Sequence, residues 1–291
     1  MLELVFVIVI LGIVASIGAD IISKLYENFI QTKAINKTLT QTDTILNQIA
    51  KRLQFRIKES TIARKSDGTK IELQNATNDN YTILEWIGVA NEAFLGDWNG
   101  SKVVPGYSGF VDLDSNETNK SQIKTVGSRL DFAEIAIYNL SYTDINISLN
   151  TTPSAVLIFK GQDFNDITKF GYDGNGSSSE YAYKIQRAGI DVLKFTDKNA
   201  STIYEQYNLA YSAYAIVPEG SNEDFNLTLY YNYQPWDGDQ YSSTDTKKST
   251  LAEHVTSFKF TQIGNTIRLK LCIKDPMIED EFGVCKERVV F

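Results

Sequence analysis

The amino-acid sequence predicts an α+β protein: a long N-terminal α-helix, hydrophobic in one half and amphipathic in the other, packed on a mainly antiparallel β-rich globular head. Three observations predict it. Residues 4–18 read LVFVIVILGIVASIG without a charge. The apolar residues that follow recur at helical spacing, with no glycine or proline between Ser23 and Ile57. Beyond about Thr61 the helical period is lost, and further on it gives way to alternation between loops rich in Asn, Asp, Ser and Gly.

The first element, residues 1–22, is a transmembrane or fibre-core helix. Its uncharged run continues past Ala19 and Asp20 into Ile21 and Ile22, which brings it close to the ~20 residues a membrane span needs. No basic n-region precedes it, so it is unlike a cleavable signal peptide, although Ser16-Ile17-Gly18 is loosely a small-x-small site. Glu3 stands at its start, where a lone carboxylate is costly in lipid unless paired; solvation at the interface is the other reading. The second element, residues 23–58, continues the helix with one stripe: Ile35, Leu39, Leu46, Ile49 and Leu53, with Thr42 filling the gap. A helix from near Leu2 to about Lys58 is roughly 80 Å long. The basic stretch Lys51–Ser60 near its end suits the helix dipole.

The third element, residues 59–291, is one head, without internal repeat or linker. AEIAIYNLSY (Ala133 to Tyr142), SAVLIFKG, NLAYSAYAIV and FNLTLYYNY read as strands. SFKFTQIGNTIRLKLCI reads as a hairpin turning at Gly264-Asn265, with Ile267, Leu269, Leu271 and Ile273 on one face. YYNYQPW (Tyr230 to Trp236) is either sheet packing or an aromatic patch for a sugar or a surface.

Composition narrows function. At 291 residues, 43% hydrophobic, the chain can bury one or two ordinary cores. With 28 basic against 36 acidic residues it carries a formal charge of -8, so no nucleic-acid partner is expected. One histidine, His254, and two cysteines exclude zinc sites built from His/Cys clusters. There is no nucleophile elbow, P-loop, GxGxxG or HExxH, and nothing places two carboxylates on facing strands for glycoside hydrolysis. The chain is therefore expected not to be an enzyme.

MLELVFVIVILGIVASIG resembles the N-terminal segment of type IV pilins and type II secretion pseudopilins: a glutamate near the start of a Val/Ile/Leu/Gly helix. The likeness covers roughly the first 25 residues. In that family a prepilin peptidase removes a leader after a glycine and methylates the new N-terminus, and an inner-membrane platform assembles the subunits. The family's leader and first aromatic residue are absent, which implies a sequence trimmed or begun at an internal methionine. The kinking proline is also absent, with Asp20 about there, which favours a minor pilin or pseudopilin. The tract LAEHVTSFKFTQIGNTIRLKLCI is similar, at the level of pattern, to the last strands of larger minor pseudopilins.

The resemblance implies a role for Glu3: pairing with the N-terminal amine of a neighbouring subunit, which neutralises two charges and fixes register. It places the protein in the inner membrane before assembly, then in a periplasmic pseudopilus or extracellular pilus. For a periplasmic or surface domain, Cys272 and Cys285 close a C-terminal disulfide loop worth ~3 kcal/mol, as in many type IV pilins; two buried thiols is the other reading. No cofactor is expected; calcium, which some pseudopilin heads bind, is the only candidate, at Asp112, Asp114 and Glu117 or at Asp237 and Asp239. Neither run fits an EF-hand, and solvated loop charge is the default. The expected function is a structural subunit of a type IV pilus or of a secretion or competence pseudopilus, as a minor or tip component. The alternative is a surface adhesin or a glycan- or ligand-binding head mounted on the same helix.

The chain holds twelve N-x-S/T sequons, and seven, at Asn99, Asn116, Asn119, Asn146, Asn175, Asn199 and Asn226, carry Asp or Glu two residues earlier. With 36 acidic residues in 291, chance gives about one or two in twelve. The extended pattern resembles the acceptor preferred by some bacterial N-oligosaccharyltransferases, so these seven are candidate glycan acceptors; loops rich in Asp and Asn generating the motif by composition is the competing reading.

Overall fold

The computed structural model describes residues 2–176, 179–275 and 283–291. Its elements are α1 (Leu2–Gln54), β1 (Ile62–Arg64), β2 (Lys70–Glu72), β3 (Ile83–Ile87), α2 (Asn91–Leu95), β4 (Asp97–Trp98), β5 (Val103–Val104), β6 (Gln122–Lys124), α3 (Leu130–Leu140), β7 (Val156–Phe159), β8 (Ala182–Arg187), β9 (Val192–Phe195), β10 (Tyr207–Ala210), β11 (Ala213–Gly220), β12 (Phe225–Tyr233), β13 (Lys247–Ile263), β14 (Thr266–Lys274) and β15 (Gly283–Val290). The layout is α+β: a 53-residue helix and a β-rich head whose strand pairs are antiparallel throughout the described residues.

Two sheets stack between two helical layers. An eight-stranded sheet, ordered β15-β14-β13-β12-β11-β3-β1-β2, curls around the last turns of α1. A five-stranded sheet, ordered β10-β7-β8-β9-β6, lies on its other face and carries α3 on the far side. Strand alternation builds these layers directly. In β3, Leu84 and Trp86 face α1, whereas Ile83 and Ile87 face the second sheet. In β7, Val156 and Ile158 face the first sheet, whereas Leu157 and Phe159 point to the α3 side.

The helix is held at one end. Ala34, Thr38, Thr42, Ile45, Leu46, Ile49 and Leu53 are buried against the sheet, whereas Ile35 and Leu39 are only half-buried. Residues at i, i+4, i+8 and i+11 define this stripe, so its first two turns use Ala34 and Thr38 in place of the larger side chains beside them. The helix ends at Gln54, four residues before the expected Lys58. Arg56 accounts for the stop. Its guanidinium, 5% exposed, donates to Leu53 O at 2.8 Å and to Asn265 O at 2.9 Å, capping the last turn and tying it to the β13–β14 turn. The next residue, Ile57, donates its N–H to Ile87 O at 2.9 Å, so the backbone has already joined the sheet.

Most expected strands form. FNLTLYYNY is β12, SAVLIFKG contains β7, and the hairpin turns at Gly264-Asn265 with Ile267, Leu269, Leu271 and Ile273 all buried. Two expectations are corrected. Ala133–Tyr142 is not a strand: most of it is α3, in which Leu130, Ala133 and Ile137 are buried at helical spacing while Ile135 is 58% exposed. NLAYSAYAIV is not one strand either. It supplies β10 and β11, in different sheets, with Tyr211 and Ser212 at the crossing.

Candidate functional site

The most unusual surface is the free half of α1. From Glu3 to Lys33 every residue is exposed except the half-buried Gly18, and the large side chains from Leu4 to Ile22 are 50–68% exposed. None of the most apolar eighteen-residue window is buried, and the helix is long and apolar enough to cross a membrane. Thirteen Val, Leu, Ile and Phe side chains lie between Leu4 and Ile22. Covering them at ~1.5–3 kcal/mol each is worth on the order of 20–40 kcal/mol, more than the whole net stability of an ordinary domain. The segment is therefore an all-round apolar surface that the head does not cover. Glu3 lies in its first turn, and Asp20, paired with Lys24 at 3.6 Å, is the next charge.

At the opposite end of α1 a cleft of about 510 Å³ opens where the helix meets the sheet. Gln48, Lys51, Arg52 and Phe55 come from α1 and its exit, Asn91 and Glu92 from α2, and Tyr214 and Tyr231 from β11 and β12. Arg52 lies 5.6 Å over the Tyr214 ring, and the Tyr231 hydroxyl is 2.9 Å from that of Tyr142. Burial holds the Tyr214 phenol above its ordinary range, and the hydrogen bond to Tyr142 does so for Tyr231, so both stay neutral donors. The cleft offers aromatic faces, phenol hydroxyls, two cations (Lys51, Arg52) and one carboxylate (Glu92), a set suited to a polyhydroxylated or peptide ligand.

The run Tyr230 to Trp236 divides between the two expected roles. Tyr233 and Trp236 are buried between the sheets, with Trp236 Nε1 donating to Ser154 O at 2.8 Å, whereas Tyr231 lines the cleft. Sequence reasoning missed Phe55, Glu92 and Tyr214, which come from three distant segments. It also missed a buried ion pair between the sheets. Glu85, fully buried in β3, accepts from Arg64 Nε at 2.8 Å and Nη2 at 2.7 Å through one oxygen, and from the Tyr233 hydroxyl at 2.9 Å through the other. Burial pushes Glu85 up, and the Arg64 guanidinium opposes it. A lone acid inside ILEWI was the available signal.

The remaining candidates are placed as follows. Cys272 and Cys285 stand opposite each other in β14 and β15 and form a disulfide. Asp112, Asp114 and Glu117 do not converge: Glu117 pairs with Lys124, and the Asp112 side chain accepts from Asp114 N at 3.2 Å. Asp237 is committed to Ser154 and to Lys184, whose Nζ is 2.6 Å away, while Asp239 accepts from Gln234 N at 3.4 Å. Among the described residues no group of three or more His, Cys, Asp and Glu could hold a metal ion. His254 lies at the sheet surface, 3.2 Å from Asp224. Of the seven candidate acceptors, Asn99, Asn116, Asn119, Asn175, Asn199 and Asn226 are exposed and Asn146 is half-buried. No family model, curated protein or solved structure matches this chain.

Proposed function

We propose that the chain is a non-enzymatic, pilin-like structural subunit, held in the inner membrane by α1 and assembled through that helix into a type IV pilus or a secretion or competence pseudopilus. The observation that carries the reading is the division of α1. Residues 34–54 are clamped into the head, while the apolar residues before them are bare on all sides. A helix that serves lipid first and a bundle of copies later needs that all-round apolar surface. Glu3, which starts it, pairs with the N-terminal amine of the neighbouring subunit and sets axial register. The large head suits a minor or tip component. Prepilin peptidase and the assembly platform are the partners this reading requires.

The test is Glu3→Ala in the native cell, with the subunit quantified in membranes and in sheared surface fibres. An unpaired buried amine costs ~3–5 kcal/mol, so fibre content should fall at least a hundredfold while membrane content holds. Normal entry of the variant into fibres removes the mechanism. The cleft between α1, α2 and β11–β12 favours a second reading, a ligand-binding or adhesive head mounted on the helix, and that result would leave it standing.

A further inference from the structure

We propose that the head is an N-glycoprotein whose glycans sit on Asn99 and Asn119, two exposed, acid-preceded sequons whose hydroxyl is satisfied by their own asparagine. The inference needs only that the head face the compartment in which a lipid-linked oligosaccharide is presented, so it stands apart from fibre assembly. In the transfer, Asn Nδ2 attacks the anomeric carbon of a polyisoprenyl-diphosphate oligosaccharide. The C–N bond forms, the C–O bond to the diphosphate breaks, the lipid diphosphate leaves with the electron pair, and the amide nitrogen loses a proton.

An acid two residues before seven of twelve acceptors exceeds the one or two that composition supplies. The structure then separates the seven. An enzyme acting on a folded head must grip the sequon hydroxyl and bend the segment around the asparagine, so the cost depends on what each sequon already holds. At Asn99 the side-chain oxygen accepts from Ser101 N at 3.0 Å, Ser101 Oγ at 3.2 Å and Lys102 N at 3.0 Å. At Asn119 it accepts from Ser121 N at 2.9 Å and Ser121 Oγ at 2.7 Å. Both are Asx turns that satisfy the sequon hydroxyl within the sequon itself and do not use Nδ2. Both lie on loops, Asn99 between β4 and β5 and Asn119 ahead of β6, the edge strand of the five-stranded sheet.

The Asn119 segment is also held by its backbone, Lys120 O and Ser121 O accepting from Ala200 N and Phe195 N at 2.8 Å, whereas in four of the others the hydroxyl or the asparagine itself is engaged or hidden. Thr118, the hydroxyl of the Asn116 sequon, donates to Asp112 O at 2.6 Å and accepts from Lys124 N at 3.1 Å. Ser201, in the Asn199 sequon, is bonded to Tyr183. Asn146 makes the same Asx turn with Ser148, at 2.9 and 2.7 Å, yet it is half-buried between Ile145 and Ile147, each 1% exposed. Asn226 is exposed but sits within β12, paired on both sides by β11 and β13. The Asn175 sequon runs into Ser177, outside the described residues.

The experiment is mass spectrometry of the full chain purified from its native membrane, intact and as fragmented glycopeptides, beside Asn99→Gln/Asn119→Gln and Asp97→Ala. The expected result is an intact mass above that of the double variant by one or two oligosaccharides, with fragments carrying them on Asn99 and Asn119. Asp97→Ala should lower occupancy of Asn99 at least tenfold and leave Asn119 unchanged. A wild type and double variant that differ only by the two added methylene groups overturn the proposal. So do glycans on Asn146 or Asn226 with Asn99 and Asn119 bare, and full occupancy of Asn99 in Asp97→Ala removes the acid's part in it.

Discussion

The ion pair between the two sheets gives the sharpest test of how the head is held together. Arg64 is 3% and Glu85 0% exposed, and β1 and β3 present both toward the second sheet. Replacing Glu85 with leucine leaves a guanidinium buried with only the carbonyl of Tyr172, 3.5 Å away, and the Tyr241 ring, 5.6 Å from its centre. Breaking a buried pair in this way costs ~3–5 kcal/mol. Arg64→Met is cheaper in acid, because the stranded Glu85 can take up a proton that burial already favours. Its folded pKa then lies further above the unfolded value of about 4.3, so this variant should lose stability as pH rises through and beyond that value, more steeply than the wild type, in which Arg64 opposes the upward push of burial. The double variant Arg64→Met/Glu85→Leu removes both charges and should lie close to the wild type or above it. Urea unfolding of the detergent-solubilised chain, followed by the fluorescence of the fully buried Trp86 and Trp236, supplies the four stabilities. If the two single losses simply add in the double variant, the pair is not coupled and the reasoning fails.

Three further outcomes follow from other parts of the head. Reducing Cys272–Cys285, whose sulfurs are joined across 13 positions of sequence, removes ~3 kcal/mol and should lower the melting temperature by about 6–12 °C; an unchanged melt with complete reduction would contradict this. Gly106→Ala would place a methyl group 2.2 Å from Ala93 O and 2.9 Å from Ala133 N, backbone atoms of α2 and α3, and should destabilise by ~1–3 kcal/mol or more in urea, whereas Gly12→Ala meets nothing within 4 Å and should leave the head's transition where it was. The Lys274 ammonium, 3.0 Å away, and then His254 hold Asp224 below its usual range. A depressed carboxylate stabilises above its unfolded pKa of about 3.9, and that contribution is lost as pH falls through the folded value. The gap between wild type and Asp224→Asn should accordingly be widest above pH ~4 and close below it; a gap that grows in acid would reverse the assignment.

Legibility in the sequence followed the number of faces that each element buries. The β13–β14 hairpin and β12 have one face in the core and one more open, so alternation showed them. Strands buried on both sides gave continuous apolar runs, and a run such as NLAYSAYAIV carries no mark of where the chain leaves one sheet for the other. Segment α3 failed for a different reason. Ala133, Ile135 and Ile137 alternate like a strand, and only adding Leu130 three residues earlier reveals the helical spacing that the core uses. The free half of α1 was readable because its composition is apolar on every face, with no charge between Glu3 and Asp20. The cleft was not, since Phe55, Glu92 and Tyr214 meet only through the order of strands.

That same order fixes one half of the helix to the head and leaves the other bare. The eight-stranded sheet grips α1 through β14 and β15 at one side of its curl and through β12 and β13 along its floor, all by residues after Lys33. Arg56 then locks the exit to the β13–β14 turn and, at 3.5 Å, to the carbonyl of Phe291. The disulfide joins β15, the outermost of these strands, to β14, its one neighbour in the sheet among the described residues. A pull on the bare half of the helix is thus carried into paired backbone, a capped helix end and a covalent link. A subunit drawn from the bilayer by its helix, as proposed above, would load these connections, whereas a plain membrane tether would not.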